Sequence, residues 1–99
     1  MDAAERPPIR LQASVAQTLV IELEAMPGAA LVWSPPAAPD GCTLTRADSV
    51  PDGSGIGGPA RQRFMLVCGT PGQRQLRFEL GRPWESVVRA VQQVEVEVR

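Results

Sequence analysis

Gln73-Arg74-Gln75-Leu76-Arg77-Phe78-Glu79-Leu80, followed at once by Gly81-Arg82-Pro83-Trp84-Glu85, is the stretch whose reading decides the fold. Leu76, Phe78 and Leu80 fall on one side and Gln75, Arg77 and Glu79 on the other, the period-two signature of a half-buried strand. Pro83 lacks a backbone N–H and fixes its own φ, so it ends the ladder and stiffens the loop. A second run, Val88 to Val98, closes with Val94-Glu95-Val96-Glu97-Val98, which alternates without a fault. Two strands are therefore joined by a stiff loop that carries an arginine and a tryptophan. Both residue types are enriched at binding hot spots, and a rigid loop loses little entropy on docking. Two readings of Trp84 stand open: a lid folded over the end of the sheet, as large aromatics are usually mostly buried, or a ring that projects into solvent.

Working outward, Arg63 to Cys68 places Phe64, Leu66 and Cys68 on one face, and Thr70-Pro71-Gly72 turns the chain into the strand above. Asp48 to Ala60 holds Pro51, Gly53, Gly55, Gly57, Gly58 and Pro59 with Ile56 as its large apolar residue, so it reads as a long loop, of the length that is usually functional or disordered. Cys42 to Thr45 follows the Asp40-Gly41 turn as a short strand. Leu31-Val32-Trp33 is a strand ended by Pro35-Pro36, and Trp33 is a candidate central ring of a core. Met26-Pro27-Gly28-Ala29-Ala30 is a turn between it and Gln17 to Ala25, whose inward side is Leu19, Ile21 and Leu23, with Val20 the exception. Ile9 to Val15 alternates as well, behind a flexible or extended arm, Arg6-Pro7-Pro8. About seven short strands, each with one apolar face, predict an all-β fold: an immunoglobulin-like antiparallel β-sandwich, with a small closed barrel as the other architecture this periodicity allows.

Composition narrows the function. The chain has 99 residues, expected to form a single domain over 1–99, with 43% hydrophobic and 21% charged residues, too apolar for disorder. All ten basic residues are arginine, beside ten prolines and nine glycines, which reads as the coding bias of a GC-rich, bacterial genome. A net charge of −1 with scattered arginines gives no basic stripe, so nucleic acid is not an expected partner. No apolar run is long enough to cross a bilayer, and the start lacks the order of a signal peptide. As written the chain reads as cytoplasmic, or as periplasmic or secreted if a leader has been removed. Cys42 and Cys68 show neither zinc spacing nor a histidine, so neither a metal nor a cofactor is expected. One disulfide or two small buried thiols remain open, and the frequent burial of free cysteine favours the thiols.

Gly55-Ile56-Gly57-Gly58, Arg63-Phe64-Met65-Leu66, Thr70-Pro71-Gly72-Gln73 and Leu76 through Glu85, in this order and spacing, resemble the chagasin family of inhibitors of papain-like cysteine peptidases. With the strands Leu19 to Leu23 and Leu31 to Trp33 the resemblance extends over most of the chain. It implies a sandwich whose three loops at one end form a wedge that enters a papain-like cysteine peptidase and blocks it reversibly, without a covalent bond. The implied contacts are Met26, Pro27, Gly28, Ala29 and Ala30 in the first loop and Gly55, Ile56, Gly57 and Gly58 in the second. Arg82, Pro83 and Trp84 form the third, with Trp84 laid on an aromatic surface beside the catalytic site. The first loop departs from the family pattern. Where members carry Asn-Pro-Thr-Thr-Gly, an aromatic and Trp, this chain reads Met26-Pro27-Gly28-Ala29-Ala30-Leu31-Val32-Trp33. Pro27 and Trp33 persist, but the side chains of Asn and both Thr are gone, and each lost hydrogen bond at an interface centre removes roughly 0.5–1.5 kcal/mol.

Two function classes therefore remain: a monomeric cysteine-peptidase inhibitor, or a chagasin-like interaction module that grips another protein with the same loops. An enzyme is not expected. The chain has neither histidine nor tyrosine, and the outward pairs Glu22 and Glu24, or Glu95 and Glu97, read as a solvated face.

Overall fold

In the computed structural model, which describes residues 4–51 and 60–99, eight strands form two packed sheets. They are β1 (Ala4–Glu5), β2 (Ile9–Ala13), β3 (Thr18–Ala25), β4 (Val32–Ser34), β5 (Cys42–Pro51), β6 (Ala60–Cys68), β7 (Gly72–Gly81) and β8 (Ala90–Val98). One sheet has the order β3-β6-β5; the other runs β1-β8-β7-β4, with β2 also on β8. Counting β1 and β2 as one strand interrupted at Arg6-Pro7-Pro8 gives the expected seven. The fold is the immunoglobulin-like sandwich that the alternation implied.

The inner faces are those that the pattern selects. Ile21 and Leu23 from β3, Phe64 and Leu66 from β6, Leu76 and Phe78 from β7, and Val94, Val96 and Val98 from β8 are all buried. Phe64 and Phe78 meet across the layers with ring centroids 4.9 Å apart. Trp33 is fully buried, and its indole N–H donates to the Glu24 carbonyl at 2.8 Å. Pairs such as Arg63–Glu22 (2.9 Å) and Arg10–Glu95 (3.1 Å) lie on the outer faces, where solvent makes such contacts worth little.

Four details differ from the sequence reading. First, the N-terminal arm is pinned. Arg6 donates its backbone N–H to Val91 O at 3.1 Å, Gln92 Nε2 donates to Pro7 O at 2.9 Å, and the Arg6 guanidinium carbon stands 5.2 Å from the Trp33 ring centroid. That is cation–π range. β1 and β2 pair with β8 in parallel, so this edge breaks the antiparallel rule that holds elsewhere.

Second, β2 stops at Ala13. Ser14 N–H is taken by the Gln17 side chain at 2.8 Å, Ala16 has φ 68°, and Val15 lies 40% exposed on the resulting turn. Third, β5 continues to Pro51, where the sequence reads as loop from Asp48. A shift in register between Ala47 and Val50 absorbs the extra residues, and β5 is an edge strand, which tolerates a proline at its end. Fourth, Cys42 and Cys68 are not free thiols. They are direct cross-strand partners on β5 and β6, and they form a disulfide.

Candidate functional site

Strand registers decide which connections share a rim. Ala60 opens β6 between Ala25, the last residue of β3, and Pro51, the last of β5. In the other sheet, Val32 at the start of β4 pairs with Gly81 at the end of β7, and Leu80 pairs with Ala90 at the start of β8. The short crossing from Met26 to Leu31 joins the two sheets at this end. The connections 26–31, 52–59 and 82–89 therefore all begin and end at one rim. The Gly55, Ile56, Gly57 and Gly58 assigned to the second loop lie outside the described residues; only their anchors are placed.

The first loop is built from backbone. Met26 N–H donates to Leu31 O (3.0 Å), while Ala29 N–H (3.0 Å) and Leu31 N–H (3.1 Å) both donate to Met26 O, which winds Pro27–Ala29 into one 3₁₀ turn. Ala30 follows at φ 60°, in the left-handed region, at the position where the family motif has glycine. Met26 is 48% exposed, Gly28 and Ala29 are exposed, and Ala30 is half-buried. The tip offers a partner apolar surface and peptide groups only.

The other described loop is held by charge. Glu85 N–H donates to Arg82 O at 3.0 Å and closes a tight turn over Pro83 and Trp84. Trp84 is 71% exposed, so the lid reading of this ring is excluded. Arg82 is half-buried instead: its Nε donates to the Ala29 carbonyl of the first loop at 3.2 Å, and its Nη1 lies 3.6 Å from Glu85 Oε1. The other oxygen of Glu85 accepts from Arg89 Nη2 at 2.9 Å. Trp84 and the first loop are thus side by side, with the Arg82 side chain as the link.

Sequence reading missed two supporting residues. Gln62 is buried on the inner face of β6, and its side-chain amide accepts from Trp33 N–H at 2.6 Å and donates to Trp33 O at 3.4 Å. It acts as one more strand on the free edge of β4 and anchors the loop that β4 leaves. Its parity with Phe64 and Leu66 was the available signal. Glu85 was visible as the end of the turn, but nothing in the sequence said which cations it would hold.

Among the described residues no group of three or more His, Cys, Asp or Glu side chains comes together. The rim exposes, among those residues, the Trp84 indole, the Met26 thioether, the Val87 side chain and a bare turn. The family model of the chagasin family peptidase inhibitors, I42, matches residues 12–98. The chain belongs to the chagasin family. A search of curated proteins finds no match.

Among solved structures, the chagasin-family chain is similar to PbICP-C, solved in complex with falcipain-2. The TM-score is 0.77 at 18% identity, over 98% of this chain and 91% of that one. It is also similar to the cysteine protease inhibitor EhICP2 from Entamoeba histolytica (TM-score 0.70, 20% identity, 93% and 96% covered). Amebosin matches at TM-score 0.70 and 17% identity, over 99% of this chain and all (100%) of that one. At these identities the structural matches speak for the sandwich, and the family places the chain among peptidase inhibitors, not enzymes.

Proposed function

We propose that this chain inhibits papain-like cysteine peptidases reversibly, as a monomer, by seating the rim formed by 26–31, 52–59 and 82–89 in the active-site cleft. The observation that carries the reading is the bridge from Arg82 to Ala29, which sets the 71% exposed Trp84 beside the first loop. An exposed indole on a stiff turn has apolar area available to a partner, and tryptophan is among the residue types enriched at hot spots. In this reading Trp84 and Pro83 lie on the enzyme surface, the Met26–Ala30 turn fills the cleft through backbone and shape, and Gly55 to Gly58 approach enzyme backbone closely for want of side chains. Membership of a peptidase-inhibitor family and a structural neighbour solved in complex with falcipain-2 support it.

Titration into papain and a cathepsin-like peptidase tests the proposal. Competitive, reversible inhibition with one chain per enzyme is expected, and no inhibition at high micromolar concentration would reject it.

The first loop favours one other reading. With no hydrogen-bonding side chain from Met26 to Ala30, the rim also suits a protein that is not a peptidase. A non-peptidase protein captured from the native lysate, and lost on Trp84→Ala, would support that reading; capture of cysteine peptidases alone would exclude it.

A further inference from the structure

A turn without polar side chains can serve a partner only through its shape, and shape binds well only when it is already held in the free protein. Among the described residues, four hydrogen bonds hold this one. Three are its own, from the amides of Met26, Ala29 and Leu31, and the fourth comes from the neighbouring loop, Arg82 Nε to Ala29 O. The last is the only one of the four made by a side chain, and an arginine side chain has many rotamers to lose. Glu85 stands where it can restrict that freedom. Its carboxylate sits between Arg82 Nη1 at 3.6 Å and Arg89 Nη2 at 2.9 Å, at 28% side-chain exposure, while its own N–H closes the turn onto Arg82 O.

We infer that Glu85 is a positioning residue: it points the Arg82 guanidinium inward at Ala29 and so locks the Met26–Leu31 turn against the Trp84 turn. Arg82 then serves the rim from behind, as a brace between loops, and not as a contact offered to the partner. The inference deepens the inhibitor reading and, for its effect on affinity, rests on it. Loss of the brace lowers the fraction of molecules with both loops in the binding arrangement, and apparent affinity falls by that fraction.

Glu85→Gln and Arg82→Gln, singly and combined, test this with two measurements: the inhibition constant against papain, and hydrogen exchange at the Ala29 and Leu31 amides of the free protein. Each single variant is expected to raise the inhibition constant about three- to tenfold. The combined variant should be no weaker than Arg82→Gln alone, and both amides should exchange several-fold faster. Unchanged exchange would overturn the inference, as would a further loss when Glu85→Gln is added to Arg82→Gln, which would place Glu85 in direct contact with the enzyme. A fall in thermal midpoint of more than about 5 °C would also overturn it, by making Glu85 a general stability residue. If the unaltered protein leaves papain active, the peptidase reading fails on its own, and exchange still decides the brace: faster upholds it, unchanged rejects it.

Discussion

Trp84 and Trp33 are the same residue type put to opposite uses, and the difference is set by where each backbone runs. Trp33 lies between the sheets with its N–H satisfied by Glu24 O, whereas Trp84 stands on a proline-stiffened turn beyond the last ladder pair, Leu80 with Ala90. Trp84→Ala should therefore raise the inhibition constant by about thirtyfold or more, a hot-spot loss, and leave the thermal midpoint in place. Enzyme titration and calorimetry on the same variant check both halves.

Ala30 carries the reverse signature. A left-handed alanine costs roughly 1–2 kcal/mol, while glycine there costs about 0.4–1 kcal/mol through the unfolded chain. The difference favours glycine, so Ala30→Gly should raise the midpoint by a few degrees. A fall in midpoint would mean that the methyl group packs usefully in the loop.

At the scale of elements, the disulfide and Gln62 hold opposite ends of the same hairpin. Cys42–Cys68 closes a loop with a sequence separation of 26, and chain entropy assigns such a link about 3.5 kcal/mol. Reduction should lower the midpoint by more than about 10 °C in a calorimetric scan. At the other end, Gln62→Ala would strand the N–H and C=O of Trp33, each worth about 1–3 kcal/mol when buried without a partner. A comparable fall in midpoint is expected, together with weaker inhibition, since β4 begins where the first loop ends.

These elements also mark the limit of what the chain discloses by itself. Alternation of Leu76, Phe78 and Leu80, or of Val94, Val96 and Val98, announces a buried face because period two is a property of the single strand. The cysteine pairing, the amide clasp of Gln62 and the parallel seat of the N-terminal arm depend on register between strands, which no single strand encodes. The candidate rim falls between these cases. Pro83 marks a stiff turn because it ends the ladder, but the sequence leaves Trp84 open between lid and projecting ring, and the turn of Arg82 away from solvent required Ala29 to be a neighbour.

At the scale of the whole molecule, work is divided between two ends. The far end is tied by Arg74, whose guanidinium reaches Asp40 O (3.2 Å) and Thr70 Oγ1 (2.8 Å), by Gly69 N–H to Gly41 O (2.8 Å), and by the disulfide. Arg74→Ala should accordingly cost stability, about 1–2 kcal/mol, without changing the inhibition constant. Denaturant unfolding beside enzyme titration separates the two effects. A loss of inhibition at constant stability would mean that both ends engage the target.

β1 runs alongside β8 from its first residue, Ala4 opposite Ala90, so the amino-terminal strand sets out from the same rim as Trp84, whereas Arg99 bonds to Ala13 at the other pole. On the proposed reading, a purification handle, fluorophore or sensor-chip linkage placed before Met1 would sit near the doorway of the target enzyme. One placed after Arg99 would leave that doorway clear, and binding assays on this protein are best built from its carboxyl end.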